Sequence, residues 1–287
     1  MQLSDKWIDY ELIDASCGLK YERWNNIYLL RPDPQVIWDN GDLKDKYKDK
    51  IDAIYYRSNK GGGHWENIRN IPSQWKVSYN DLKFNIKQMG FKHTGLFPEQ
   101  AVNWDFMSNK IKNCGREIKV LNLFAYTGGA TVACLKAGAH VTHVDSSRGM
   151  VDWCKENVRS SLCDESKVRY IVDDVVKFVQ REIRRGNKYD AIIMDPPSYG
   201  RGANGEVWDI EKNLSYLVKI CCEILSDNPL FFLINSYTTG LSSTVLKNLL
   251  LLNINGGEVT CGEVGLKITS NDLVLPCGIY GRWESNE

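Results

Sequence analysis

The sequence lacks an excess of charge of either sign, and it lacks the residue spacings that hold metal ions. Its 36 Lys and Arg residues balance its 36 Asp and Glu residues, whereas nucleic-acid-binding proteins usually carry a basic excess that neutralises phosphate. The nine cysteines include no C-x-x-C pair, and the four histidines show no H-E-x-x-H spacing. We therefore predict no metal site. Composition gives no support for an RNA or DNA substrate, although a local basic patch is compatible with it.

Long apolar runs are absent as well. The apolar stretches are as short as strands and are interrupted by Lys, Asp or Gly, so no membrane-spanning helix is predicted. Residues 1–10 contain no apolar core of a secretory signal. The cysteines are odd in number and scattered, which is typical of reduced thiols that serve as small apolar residues. We predict a cytoplasmic protein with no membrane partner.

The chain changes character near Gly115. Before this point aromatic residues are dense, and short strand-like runs are broken at residues 31–34 and 61–63. This pattern predicts a small β-rich N-terminal domain over residues 1–90. Residues 91–115 are predicted to be a linker segment, and residues 116–287 a second domain.

In the second domain, strand-like runs alternate with amphipathic stretches. The candidate strands are Lys119–Phe124, His140–Val144, Val168–Val172, Ala191–Met194 and Leu230–Ile234, and the candidate helices are Thr131–Ala137, Arg148–Ser160, Val175–Arg185, Asp209–Leu225 and Ser242–Leu252. Strands rich in Val, Ile and Leu suit a buried parallel sheet with helical crossovers. Gly262–Lys267 and Leu273–Trp283 form a predicted antiparallel hairpin at its edge. We predict an α/β fold with a doubly wound, mostly parallel sheet of seven strands.

Ligands of such a sheet bind beyond the carboxyl ends of its strands, and the residues that follow the predicted strands include types that bind ligands. Ala125-Tyr-Thr-Gly-Gly-Ala130 follows the first strand, and Asp145, seventeen positions beyond Gly128, follows the second. Asp173-Asp174 follows the third strand, and Asp195-Pro-Pro-Ser-Tyr199 follows the fourth. Each signal alone has an ordinary structural explanation, because glycine pairs make turns and acids cap helices. Their occurrence after four successive strands favours a ligand site.

The absence of phosphate-binding loops narrows the range of possible ligands. No G-x-x-x-x-G-K-[ST] loop occurs, and the glycines of the first loop are the adjacent pair Gly128-Gly129 rather than G-x-G-x-x-G. Asp145 is placed to accept both hydroxyls of a ribose, and Asp174 to accept from an adenine amino group. A nucleoside without phosphate meets this description, and S-adenosyl-L-methionine is such a ligand.

Residues 118–283 resemble a class I S-adenosylmethionine-dependent methyltransferase domain, with a Rossmann-like fold. The closer resemblance is to the ribosomal RNA large-subunit methyltransferases that include the cytosine-C5 and guanine-N7 enzymes of 23S rRNA. It is carried by Leu19-Lys-Tyr-Glu-Arg23, Arg31-Pro-Asp-Pro-Gln35 and His93-Thr-Gly-Leu-Phe-Pro-Glu-Gln100. The resemblance implies that residues 91–115 contribute to the cofactor site; a purely structural linker is the alternative. The implied cofactor-binding residues are Thr94, Phe97, Gln100, Phe124, Ala125, Tyr126, Thr127, Gly128, Asp145, Ser146, Asp173, Asp174 and Asp195.

Asp195, Pro196, Pro197 and Tyr199 resemble the motif of amino-methyltransferases that act on bases, and they are the predicted catalytic residues. The two prolines stiffen the turn, and Tyr199 is placed either to stack on a planar base or to pack against the small domain. Arg201 is a candidate phosphate contact. Cytosine-C5 chemistry needs a cysteine nucleophile, which the family carries after the fifth strand. Residues 235–240 contain none, and Cys277 is expected to be a packing residue, so a nitrogen acceptor is favoured.

The predicted function is therefore methylation of a base in ribosomal RNA. A methyltransferase for a small molecule or a protein is the alternative that suits the neutral net charge. A module that binds the cofactor or RNA without turnover, and a nicotinamide oxidoreductase, are less favoured. The sequence leaves the oligomeric state open between monomer and dimer.

Overall fold

The computed structural model describes residues 1–58, 61–202, 205–238 and 240–286. The chain forms two compact units. The β unit comprises residues 3–101 and 265–277, and the α/β unit comprises residues 1–2, 102–264 and the chain from 278 onward. The change from one unit to the other after residue 101 falls within the segment 91–115 that the sequence marks as a linker.

The β unit contains a five-stranded sheet and a separate hairpin, so the N-terminal portion is β-rich as predicted. The sheet has the order β2-β3-β4-β5-β6, with β2 Tyr10–Ser16, β3 Leu19–Trp24, β4 Ile27–Pro32, β5 Ala53–Arg57 and β6 Gly63–Asn67. The hairpin pairs β7 Trp75–Tyr79 with β8 Leu82–Ile86. A short helix, α1 Leu43–Lys46, precedes β5. Tyr21, Leu30 and Ile54 form part of a buried cluster, and Arg31 forms a buried ion pair with Glu22.

The second sheet has eight strands in the order β1-β16-β17-β15-β12-β9-β10-β11. They are β1 Gln2–Leu3, β9 Lys119–Leu123, β10 His140–Asp145, β11 Val168–Val172, β12 Ala191–Met194, β15 Phe231–Ser236, β16 Glu258–Lys267 and β17 Val274–Glu284. The five strands from β15 to β11 are parallel, and β17 runs antiparallel to β15. The mixed character is as predicted, but the predicted count of seven is one too low. A two-residue strand such as β1 is too short to carry a periodic pattern.

Helices connect the consecutive parallel strands, another helix precedes β9 and another follows β15, and short polar residues define where several of them begin. They are α2 Ala101–Asn113, α3 Gly129–Lys136, α4 Arg148–Ser160, α5 Val175–Arg185, α6 Ile210–Cys222 and α7 Ser243–Asn253. Ser147, Asp174 and Asp209 cap α4, α5 and α6 by accepting backbone N–H groups. No helix in the described ranges is long and apolar enough to cross a membrane.

Helix α2 is an element that the sequence reading missed. It occupies most of the segment predicted as a linker, and Trp104, Met107 and Ile111 along it are buried. Their spacing of three and four residues is that of one helix face. The reading failed because the helix lies among the dense aromatic residues that suggested irregular β structure.

Candidate functional site

The carboxyl ends of β9, β10, β11 and β12 meet at one edge of the sheet. Leu123 pairs with Val144 and with Met194, and Asp145 pairs with Val172. The residues that follow these strands therefore start from neighbouring positions. This edge holds most of the predicted site residues, namely Phe124, Ala125, Tyr126, Thr127, Gly128, Asp145, Ser146, Asp173, Asp174, Asp195, Pro196, Pro197 and Tyr199.

The loop after β9, residues 124–128, has a constrained backbone. Phe124 and Tyr126 have φ angles of 52° and 51°, in the left-handed region that side chains other than glycine's rarely adopt. The surrounding structure holds them there. Tyr126 donates its backbone N–H to the Asp145 carboxylate at 2.8 Å, and Ala125 donates to the Val144 carbonyl at 3.1 Å. Strain that the fold maintains in this way is typical of ligand-binding loops.

Asp145 links this loop to the start of α4. Its second carboxylate oxygen accepts the backbone N–H of Ser147 at 2.9 Å. Burial raises the pKa of Asp145, while the hydrogen bonds from Ser147 and Tyr126 oppose that rise. A carboxylate fixed by two backbone donors presents its remaining lone pairs in a defined direction, which suits the recognition of a diol.

The two adjacent glycines of the loop are required by packing within the protein. A Cβ built on Gly128 would lie 2.2 Å from Cys154 Sγ, and one built on Gly129 would lie 2.8 Å from the Trp104 ring. The space that a side chain would need at either position is therefore filled by other side chains of this chain, so both positions require glycine. The fixed carboxylate of Asp145 beside this tight glycine turn fits a ligand that carries a ribose, such as S-adenosylmethionine.

A buried polar network supports the loop from below. Asn157 on α4 donates to the Thr127 carbonyl at 2.8 Å. Asn122 donates to Thr131 Oγ1 at 3.0 Å, and that oxygen lies 2.9 Å from His143 Nδ1. Burial lowers the pKa of His143 to about 3, so the imidazole is neutral at physiological pH. Asn157 thus fixes the Thr127 carbonyl, and the buried Asn122–Thr131–His143 chain of hydrogen bonds carries no charge.

Replacing Asn157 with alanine is expected to weaken binding of S-adenosylhomocysteine about tenfold and to destabilise the protein by about 1–3 kcal/mol, because the Thr127 carbonyl loses its donor. Val158→Ala is the matched control, since Val158 is the next residue of the same helix and is also fully buried. It should lower stability without changing affinity for the ligand. Calorimetry and thermal unfolding measure both quantities. Equal losses of affinity in the two variants would argue against a specific role for Asn157.

The acids after β11 have partners in the protein. Asp174 caps α5 by accepting the Lys177 N–H at 2.9 Å. Asp173 accepts the Asp174 N–H and forms an ion pair with Arg181. The ordinary structural explanation therefore applies to Asp174, while its predicted contact with adenine stays a prediction.

The turn after β12 carries the predicted catalytic residues. Burial alone raises the pKa of Asp195 to about 6. Pro196 is buried, whereas Pro197 is exposed and Tyr199 is 55% exposed. The Ser198 and Thr238 hydroxyls lie 2.8 Å apart, which connects this turn to the segment after β15. A half-buried carboxylate and an exposed aromatic ring in the same turn are groups that can hold a planar, amine-bearing acceptor.

Three predicted cofactor residues lie in the β unit. Thr94 is fully buried, and within the described residues its hydroxyl has no hydrogen-bond partner in the protein. Phe97 is partly buried, with its ring centroid 5.4 Å from that of His93. Gln100 ends the short 3-10 turn Pro98–Gln100. A buried hydroxyl without a protein partner fits a group that binds a ligand.

The end of the fifth strand of the parallel set holds amides rather than a thiol. Asn235 is buried and accepts from Asn103 at 2.9 Å. Arg282 donates to the Asn103 side chain at 2.6 Å. Cys277 is buried, and burial raises the pKa of its thiol well above the ordinary value, so it is a poor nucleophile at neutral pH. The expectation that Cys277 is a packing residue agrees with this environment.

Two residues of this edge escaped sequence reasoning. Asn157 could have been noticed, because it lies on the face of α4 that also carries the buried residues Cys154 and Val158. A polar residue on an apolar helix face signals a buried hydrogen bond. Trp208 donates its indole N–H to the Pro197 carbonyl. It gave no such signal, because a lone tryptophan before a helix is typical of a core residue.

Comparisons with known proteins agree with this geometry. A family model described as S-adenosylmethionine-dependent methyltransferase matches residues 53–240. The crystal structure of the SAM-dependent methyltransferase from Agrobacterium tumefaciens is 35% identical, with a TM-score of 0.93 over 99% of this chain and 92% of that one.

Two curated relatives are named for ribosomal RNA. Ribosomal RNA large subunit methyltransferase K/L of Pseudoalteromonas atlantica is 31% identical over 156 residues, which are 54% of this chain and 21% of that protein. Ribosomal RNA large subunit methyltransferase I of Salmonella arizonae is 33% identical over 129 residues, which are 45% of this chain and 31% of that protein. The match thus spans less than a third of either relative.

Proposed function

This chain belongs to the family of S-adenosylmethionine-dependent methyltransferases, and from that premise we propose that it methylates a base of ribosomal RNA at a nitrogen atom. The observation that carries the choice of nitrogen is the turn after β12, where the half-buried Asp195, whose pKa is raised by burial, precedes two prolines and the exposed Tyr199. The names of the curated relatives support ribosomal RNA as the substrate. We propose the cytoplasm as the compartment.

The proposed cofactor site lies at the carboxyl ends of β9, β10 and β11. S-adenosylmethionine, when bound, supplies a methyl group on a sulfonium that a nucleophile can take by in-line displacement. Asp145 would accept the ribose hydroxyls, and Asp174, with Asp173 beside it, would receive the adenine amino group. Backbone groups of residues 124–128 and Ser146 would line the cofactor. Thr94, Phe97 and Gln100, in the proposed linker segment 91–115 that separates the proposed domains 1–90 and 116–287 along the chain, are proposed to bind the cofactor as well.

The proposed acceptor site is the turn 195–199. The Asp195 carboxylate would accept hydrogen bonds from the exocyclic amine of the base, which leaves the nitrogen lone pair available to attack. Tyr199 would stack on the ring, and Arg201 would contact a phosphate. Pro196 and Pro197 would keep the turn rigid, because proline fixes φ. The chain's main contribution is orientation and exclusion of water.

The pH dependence of kcat tests the role of the carboxylate. We expect kcat to fall below about pH 6, because the pKa of Asp195 is raised to about 6 by burial and the protonated acid is a weaker acceptor. Above that pH the rate should be level. Initial rates between pH 5 and pH 8 measure this, and Asp195→Asn should lose the inflection. If the pH profile of Asp195→Asn kept the same inflection, the inflection would belong to another titrating group.

Transfer of labelled methyl groups tests the substrate class. Purified protein and tritiated S-adenosylmethionine are incubated with an extract of cells that lack the gene, and the RNA, protein and small-molecule fractions are then counted. We expect label in the RNA fraction and none without the enzyme. Label confined to protein or to small molecules would contradict the proposal and favour the second candidate, which the neutral net charge suits.

A further inference from the structure

The segment after Pro197 forms a small antiparallel ribbon with two different faces. It consists of β13 Tyr199–Arg201 and β14 Val207–Asp209, and Gly200 lies opposite Trp208. Side chains alternate along a strand, so Tyr199, Arg201 and Val207 share one face, and all three are exposed. Trp208 lies on the other face and is only 8% exposed.

Trp208 contacts both halves of the proposed site. Its indole N–H donates to the Pro197 carbonyl at 2.7 Å. Its ring lies 4.8 Å, centroid to centroid, from the ring of Phe124 at an angle of 60°. Pro197 belongs to the proposed acceptor turn, and Phe124 is the first residue of the proposed cofactor loop. One side chain therefore joins the two segments between which the methyl group would move.

The partners of Trp208 are positions where small displacements have consequences. Phe124 is held in the left-handed region at a φ of 52°, and its ring packs against Trp208. Pro197 follows Asp195 by two residues in a turn that proline makes stiff, so a shift of the Pro197 carbonyl is transmitted to the carboxylate. Displacement of reacting groups by about 1 Å can cost about a hundredfold in rate.

We infer that Trp208 is a positioning residue that sets the separation between the acceptor turn and the cofactor loop. The inference rests on the proposed function, because it takes residues 195–199 as the acceptor site. Trp208 would act through its contacts with Pro197 and Phe124 rather than by contact with the reacting groups.

The ribbon has other attachments, so we expect it to stay folded when Trp208 is replaced. The Ile210 N–H donates to the Ser198 carbonyl at 3.1 Å. Glu206 forms an ion pair with Lys177 on α5. Asp209 caps α6. These contacts hold both strands of the ribbon independently of the indole.

Trp283 provides a closely matched control in the same unit. It is 3% exposed, and its indole N–H donates to the Gly256 carbonyl, also at 2.7 Å. On β17 it pairs with Phe232 of β15, and Phe232 lies four residues before Ser236, where β15 ends. Trp283 is therefore distant along the strand from the site. Trp208 and Trp283 thus share burial and hydrogen bonding and differ in whether they contact the site.

The test compares Trp208→Phe with Trp283→Phe in the full chain. The methyl acceptor is ribosomal RNA from cells that lack the gene, and affinity for S-adenosylhomocysteine is measured by calorimetry. For Trp208→Phe we expect kcat to fall at least about tenfold, with cofactor affinity within about twofold because an aromatic ring still faces Phe124. Trp283→Phe should lose comparable thermal stability and keep its kcat. Trp208→Ala, which removes the ring as well, should weaken both kcat and cofactor affinity.

Two outcomes would overturn the inference. Equal effects of the two phenylalanine variants on kcat would make Trp208 an ordinary core residue. If Trp208→Phe lost as much cofactor affinity as kcat, Trp208 would act only on the cofactor loop 124–128 and not on the acceptor turn. If the wild-type protein labels no RNA, the proposed function fails instead, and the calorimetry on Trp208→Ala still reports whether Trp208 supports the cofactor loop.

Discussion

Asp195→Ala is expected to lower methyl transfer by about a thousandfold, because the group that orients the acceptor amine is removed. Binding of S-adenosylhomocysteine should weaken by less than about tenfold, the size of one lost hydrogen bond. The same variant should gain stability at pH 7. The pKa of Asp195 is about 6 in the folded protein, against an ordinary value of 3.8. As pH rises from about 4 to 6, the unfolded chain therefore loses its proton first and the folded state loses stability. Alanine removes that cost.

Asp190→Ala is the control for this prediction, and we expect it to lower stability and to leave kcat unchanged. Asp190 directly precedes β12 and accepts from the Arg116 guanidinium, the Lys119 N–H and the Ser226 hydroxyl at 2.8–2.9 Å. Its removal leaves three donors without their acceptor, so stability should fall while kcat is retained. Thermal unfolding and initial rates measure both effects. Wild-type rates in Asp195→Ala would show that this acid does not take part in transfer.

Asp145→Ala should weaken binding of S-adenosylhomocysteine about a hundredfold. The substitution removes the acceptor for the ribose and also frees the Tyr126 N–H, which Asp145 binds at 2.8 Å. Charged hydrogen bonds contribute about 1.5–3 kcal/mol each, and about 1.4 kcal/mol corresponds to tenfold. Calorimetry gives the affinity directly, and kcat at saturating cofactor should change much less.

Asp164→Ala controls for the loss of a turn-forming acid. Asp164 accepts the backbone N–H of Ser166 at 2.9 Å, as Asp145 accepts that of Ser147. It stands outside the loops that follow β9, β10, β11 and β12, so its replacement should cost some stability and leave the affinity unchanged. If Asp145→Ala bound S-adenosylhomocysteine as tightly as Asp164→Ala, the cofactor would not lie against the loop 124–128.

The sequence predicted the α/β architecture closely because each element carries a local signal. Helix α4 runs from Arg148 to Ser160 and α5 from Val175 to Arg185, the bounds that the periodicity indicates. Their caps, Ser147 and Asp174, are residue types that begin helices. The acids at the strand ends could also be located from the sequence, because the predicted strand lengths and sheet topology place them at one edge of the sheet.

Contacts between segments far apart in sequence could not be predicted. The pairing of Gly128 with Cys154 and of Gly129 with Trp104 depends on how α2 and α4 pack. The sequence indicated that these glycines make a turn, and the structure adds that the turn is closed against the protein's own side chains. The hydrogen bond from Trp208 to Pro197 likewise could not be predicted from the sequence, because a tryptophan is expected to be a core residue until the partner of its indole N–H is known.

Mass spectrometry of ribosomal RNA nucleosides tests the central claim most directly. RNA is compared from cells that carry the gene, from cells that lack it, and from the latter complemented with wild type or with Asp195→Ala. We predict one base methylated at nitrogen that disappears with the gene and returns with wild type but not with Asp195→Ala. An unchanged set of methylated nucleosides in the cells that lack the gene, or the loss of a base methylated at carbon, would contradict the claim.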